Sequence, residues 1–134
     1  MKNSVLLITI WINTLAMTSF AEEYREGVLF VNAIEANEML REKIGVEVLD
    51  IRTEYEFSQR HIEGAVNIDF YRTDFKQRVS QLDPSKTYLL HCRSGGRSNR
   101  ALNILKSVGI TNLVHLDGGM KAWQKALLPT KGQP

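Results

Sequence analysis

The only cysteine of the chain lies in the run Cys92-Arg93-Ser94-Gly95-Gly96-Arg97-Ser98. A thiol attacks as its thiolate, and an unperturbed cysteine, with a pKa of about 8.5, is mostly protonated at neutral pH. This run offers three ways to favour the thiolate. Its two glycines let the backbone curl until several N–H groups converge on one point. Its two arginines add full positive charge. The residues that follow, Asn99 to Lys106, have the pattern of an amphipathic helix whose positive end would face the thiol. Each unit of pKa depression takes about 1.4 kcal/mol of preferential thiolate stabilisation, within reach of a helix end and a few N–H bonds. The same donors would hold an anionic substrate. Cys92 is therefore the candidate nucleophile. Arg93, Ser94, Gly95, Gly96, Arg97 and Ser98 are the candidate substrate-binding residues.

Spacing narrows the chemistry. Loops of the tyrosine-phosphatase type read Cys-x5-Arg, often with a histidine before the cysteine. His91 does precede Cys92, but the sixth residue after it is Ser98, and Arg97 is only the fifth. A transferring phosphoryl group presents three equatorial oxygens together with an in-line leaving group. A loop one residue shorter is a smaller cradle, suited to one sulfur atom and a small anion.

The elements that must position this loop follow from the apolar pattern. Strands are expected over 28–31, at an edge, and over 47–51, 65–68, 87–91 and 113–116. Helices are expected over 34–43, with Ile34, Met39 and Leu40 inward, and over 98–108 and 119–127. A helical turn is expected at 54–58, and 70–82 reads as irregular or helical. Alternating strands and helices with short links describe an α/β domain with a mainly parallel sheet. Ligands of such sheets sit at the carboxyl ends of strands, where Cys92 falls.

The 134 residues leave room for one domain, and 43% apolar residues suffice for a core. The net charge is +2 with its basic residues dispersed, which argues against a nucleic-acid face. Cys92, His61, His91 and His115 show no metal-ligand spacing, so neither metal nor cofactor is expected. The first 21 residues stand apart. Lys2 precedes an apolar stretch from Val5 to Ala16, and Ser19 and Ala21 occupy the −3 and −1 positions of a cleavage after Ala21. This is the pattern of a signal peptide over 1–21, followed by a single domain over 22–134, periplasmic or secreted and without stable membrane insertion once cleaved. The competing reading is an uncleaved anchor, because residues 3–21 carry no charge. A lone thiol in an exported chain points to a reactive group or an intermolecular partner.

Three ordered segments resemble the rhodanese family of sulfurtransferases. The first is Asp50-Ile51-Arg52-Thr53-Glu54-Tyr55-Glu56-Phe57 followed by His61-Ile62-Glu63-Gly64-Ala65-Val66-Asn67-Ile68, in which Arg60 stands where a glycine is usual. The second is the Cys92–Ser98 loop. The third is Leu116-Asp117-Gly118-Gly119-Met120-Lys121-Ala122-Trp123. The resemblance implies a rhodanese-like α/β fold, a central mostly parallel sheet of about five strands with helices on both faces. It implies ping-pong transfer of a sulfane sulfur through a Cys92 persulfide, from a small anionic donor such as thiosulfate to cyanide or a thiol, with a protein sulfur acceptor as a further candidate partner. Arg93 is then the expected contact for the donor's anionic end, while Arg97 either shares that role or braces the loop through a carboxylate. Asp50, Arg52, His61, Asp117 and Trp123 are expected to be structural, and His91 and His115 to be strand residues without catalytic roles. Two other functions stay open: a persulfide carrier or redox-sensing module with a protein partner, and a phosphatase or arsenate reductase on the same fold.

Overall fold

A computed structural model describes residues 23–42 and 45–132; the expected signal peptide lies outside them. The chain runs β1 (Glu23–Arg25), β2 (Val28–Val31), α1 (Ala33–Arg41), β3 (Val46–Asp50), α2 (Glu54–Gln59), β4 (Val66–Asn67), α3 (Phe75–Val79), β5 (Thr87–His91), α4 (Gly96–Ser107), β6 (Leu113–Leu116) and α5 (Gly119–Lys125). Six strands form one sheet in the order β1-β2-β6-β5-β3-β4. Among the described strand pairs of this sheet, only β1–β2 is antiparallel.

The period of two along each strand sends alternate side chains to opposite faces. Along β5 and the residue after it, Tyr88, Leu90 and Cys92 join the core under α3 and α4, with Leu49, Ile51, Val79, Ala101 and Leu105. Leu89 joins the core under α1 and α5, with Val48, Val114, Leu116, Met120 and Trp123. The sheet is thus covered on both faces, which is why β5 and β6 read as near-continuous apolar runs.

Two expectations about the N-terminal part are corrected. Val28–Val31 is not an edge strand, because β1 pairs with it on the outside in register from Glu23 opposite Phe30 to Arg25 opposite Val28. The connection is the two residues Glu26 and Gly27, both at positive φ (50° and 78°), which suits the twist of a tight hairpin. All three residues of β1 are exposed, so it lacks the apolar alternation by which a strand is read. Ile34 does not face inward either; it is 49% exposed, and Ala33 and Ala36 are buried in its place. The cause is the start of α1. The Asn32 side chain accepts from the Ile34 and Glu35 amides, and the Glu35 carboxylate accepts from the Asn32 amide. This reciprocal cap fixes the helix one residue earlier than its apolar pattern indicates.

Candidate active site

The loop begins where β5 ends, in the middle of the sheet between β3 and β6. Gly95, at φ +111°, turns the chain into α4, which starts at Gly96 and not at Ser98 as expected. A side chain at Gly95 would be strained by that φ. The turn folds the loop over the sulfur. The Gly95 amide donates to Cys92 Sγ at 3.1 Å, and the Ser98 hydroxyl lies 3.5 Å from it. Cys92 is 1% exposed. Burial pushes its thiol pKa up, but the Ser98 hydroxyl and the amides of Ser98, Gly95 and Ser94 outweigh that, and the net direction is down. The positive end of the 12-residue α4 opens toward the same point.

The first half of the loop is supported from below by α5. The Met120 amide donates to the Cys92 carbonyl (2.9 Å) and the Lys121 amide to the Arg93 carbonyl (2.9 Å). These helix-terminal N–H groups have no partner within their own helix, and the loop supplies one. Gly119 makes the approach possible. It sits at φ +57°, and a Cβ there would come within 2.8 Å of the Arg93 backbone and as close as 2.5 Å to the Cys92 carbonyl. Gly119 of the third segment is therefore part of the seat of the loop. His91 Nδ1 also lies 3.0 Å from the Cys92 carbonyl.

The second half is supported by side chains. Arg97 grips Glu56 with two parallel bonds, Nη1 to Oε2 and Nη2 to Oε1, both 2.8 Å. The bond from Arg97 holds the Glu56 carboxyl down to about 2, and the Arg97 guanidinium is raised in turn by Glu56. Arg97 therefore braces the loop through a carboxylate, the second of its two expected roles. Its guanidinium also lies 5.4 Å from the exposed Tyr71 ring. Sequence pattern alone assigns Glu56 no role in the loop, although a local signal is present. Thr53 and Glu56 form the capping box of α2, Glu56 accepting from the Thr53 amide and hydroxyl while the Thr53 hydroxyl accepts from the Glu56 amide. The Ser98 hydroxyl, finally, donates to the Gly95 carbonyl (3.1 Å) and lies 2.8 Å from His115 Nε2.

Arg93 and Ser94 are exposed beside the sulfur. Among the described residues the Arg93 guanidinium has no ion-pair partner. Gly96 is exposed at the first turn of α4.

The first segment builds the wall beside the loop. The Asp50 carboxylate takes Arg52 Nε and Nη2, the latter at 2.6 Å, and Arg52 Nη2 also donates to the Arg60 carbonyl. Asn67 Nδ2 donates to both the Asp50 and Arg52 carbonyls, clamping β4 to the end of β3. Arg60 has φ −167°, extended backbone open to any residue, so the usual glycine is dispensable there. His61 stacks on Phe57 at 3.9 Å and exchanges two backbone bonds with Lys131. Trp123 is buried and donates to the Pro129 carbonyl.

A buried sulfur ringed by amides, at the carboxyl end of the central strand of a doubly covered parallel sheet, defines a cysteine-loop α/β domain. The Rhodanese-like domain family matches residues 32–126, and the chain belongs to that family. It is 38% identical over 97 residues to thiosulfate sulfurtransferase 16, chloroplastic, of Arabidopsis thaliana, a match covering 65% of this chain and 81% of that one. It is also 38% identical over 93 residues to an uncharacterized protein of Synechocystis sp., covering 69% of this chain and 51%, about half, of that relative. A rhodanese-related protein from Thermoplasma volcanium has a similar structure, with a TM-score of 0.69, 26% identity, and coverage of 82% of this chain and all of that one. The sheet has six strands where about five were expected; the addition is β1.

Proposed function

We propose that this protein is a sulfurtransferase of the thiosulfate type, with Cys92 as the covalent sulfur carrier. The observation that carries this is the Gly95 amide on Cys92 Sγ inside a loop whose hydrogen bonds lower the thiol pKa against the effect of burial. The Cys92 thiolate attacks the outer sulfur of the donor. A Cys92–S bond forms, the donor's S–S bond breaks, and sulfite leaves with the electron pair when the donor is thiosulfate. The persulfide anion so formed keeps its charge under the loop amides. Cyanide then takes the outer sulfur as thiocyanate, and the Cys92 thiolate is restored. Arg93 is assigned to the anionic end of the donor and the Ser94–Ser98 backbone to the transferring sulfur; Arg97 holds the loop in shape.

The names of the Arabidopsis relative and of the family support this reading over a phosphatase, as does the five-residue step from Cys92 to Arg97. The purified domain is expected to form thiocyanate from thiosulfate and cyanide, and Cys92→Ser to abolish it. A wild-type protein that gives neither thiocyanate nor a persulfide adduct of about +32 Da on Cys92, one sulfur atom on the reacting thiol, removes the proposal. A stable adduct with turnover only in the presence of a second protein would reassign it as a carrier. We further propose export, supported by the pattern of residues 1–21. An N-terminus at Glu22 in the mature protein is the expected result, and an intact Met1 in a soluble fraction of the cytoplasm the contrary one.

A further inference from the structure

We propose that His115 is a positioning residue for the Cys92 thiolate, acting through the hydroxyl of Ser98; the proposal deepens the reading of Cys92 just given. The three side chains form a closed line. Ser98 Oγ lies 2.8 Å from His115 Nε2, 3.5 Å from Cys92 Sγ and 3.1 Å from the Gly95 carbonyl. Ser98 and His115 have no solvent exposure and Cys92 has 1%.

A hydroxyl has one proton and two lone pairs. Two of its three neighbours here, the Gly95 carbonyl and a Cys92 thiolate, can only accept. Ser98 can serve either of them only if the third neighbour, His115 Nε2, donates. The ring's other nitrogen decides this. His115 Nδ1 is buried and has no partner among the described residues. An N–H buried without an acceptor is rarer and costlier than an idle lone pair. The neutral ring therefore carries its proton on Nε2 and gives it to Ser98. In the opposite tautomer Ser98 would donate to the ring, and its lone pairs would face the sulfur and oppose the thiolate.

The ring is held neutral. Burial pushes its pKa down to about 4, with Asp117 just beyond β6 opposing and with Arg25 from β1 and His91 from β5 assisting. Phe30 of β2 covers it at 4.5 Å between ring centres. Around the sulfur, Arg97 of α4 is the charged group that senses it. With its oxygen filled from the His115 side, the Ser98 O–H has two acceptors to choose between by a rotation about one bond. The Gly95 carbonyl takes it when Cys92 is a thiol, and the sulfur takes it when Cys92 is a thiolate.

Alkylation of Cys92 by iodoacetamide across pH, read by intact mass on the whole protein, gives the thiol midpoint without requiring sulfur transfer. Ser98→Ala and His115→Phe are each expected to raise the midpoint by about one unit, a roughly tenfold slower reaction below it. The double variant is expected to go no further than either alone. His115→Gln, whose amide can still donate to Ser98, is expected to stay near the wild-type midpoint. Independent effects that add, or a His115→Phe midpoint equal to wild type, overturn the proposal. So does a nitrogen NMR spectrum of the wild-type imidazole showing the proton on Nδ1, a measurement that needs no variant to fold. A protein that alkylates as expected yet forms neither thiocyanate nor a Cys92 persulfide refutes the sulfurtransferase reading and leaves this one standing.

Discussion

The two halves of the active loop are held by different means. Cys92 and Arg93 hang mainly on backbone bonds from the first turn of α5, through the Met120 and Lys121 amides, with His91 Nδ1 as the one side-chain contact on the Cys92 carbonyl. Gly95 to Ser98 are held by side chains, Glu56 on Arg97 and His115 beside Ser98. Main-chain support is indifferent to most side-chain identities and fails only where a backbone approach is blocked. Side-chain support can be adjusted residue by residue. The half that bears Cys92 is therefore fixed by geometry, and the half that bears on its charge is open to chemistry.

The sharpest way to break the first half is Gly119→Ala. The new Cβ would fall 2.5 Å from the Cys92 carbonyl at a φ of +57°. Overpacking and backbone strain together should cost more than about 3 kcal/mol, seen as a fall in the urea midpoint and as free alkylation of an exposed Cys92. An alanine protein of wild-type stability would show that α5 does not seat the loop.

The second half should respond to pH. His115 has an ordinary pKa of 6.5 and a folded value of about 4. The unfolded chain takes up this proton first as pH falls, so the stabilisation is complete above pH 6.5 and is lost as pH drops toward about 4, by about 3 kcal/mol. Denaturant titrations over that range should show a shallower pH slope for His115→Gln than for wild type. Equal slopes would remove His115 as the source.

Glu56→Gln keeps one oxygen for the capping box, since glutamine also serves at that position, and removes the charge and one of the two acceptors opposite Arg97. The pair is partly shielded, with side-chain exposures of 11% for Arg97 and 25% for Glu56. The expected loss is about 2 kcal/mol after discounting for solvent screening, accompanied by a lower kcat. A lower kcat without loss of stability would move Arg97 from bracing to binding. Arg93→Ala is the mildest change: stability unchanged, kcat nearly so, and KM for thiosulfate raised about fivefold, as an exposed charge worth about 1 kcal/mol implies. An unaltered KM would exclude Arg93 as the donor contact.

The loop was legible in sequence because its chemistry is local. A cysteine after an apolar run, two glycines and a following helix predict a thiol under amides without knowledge of the rest of the fold. The sheet and its parallel order were legible for the same reason, from apolar runs alternating with helical patterns. What supports the loop was not. Glu56 lies 41 positions from Arg97 and Met120 lies 28 from Cys92, and sequence pattern carries no distance across such intervals. Nor could periodicity tell that Ser98 and His115 would share one hydrogen bond. β1 escaped because none of its residues is buried. The Glu26-Gly27 turn was its only local sign.

In the proposed transfer, the near-complete burial of Cys92 would also decide which atom an acceptor can reach. In a persulfide the inner sulfur stays enclosed, and the outer one projects about 2 Å further along the S–S bond. A nucleophile arriving from solvent meets the outer sulfur first. Attack there would release the sulfur and restore Cys92; attack on the inner sulfur would tether the acceptor to Cys92 as a mixed disulfide. Burial would thus set the regiochemistry of the proposed second step, and absence of that disulfide with a small thiol acceptor is the expected signature.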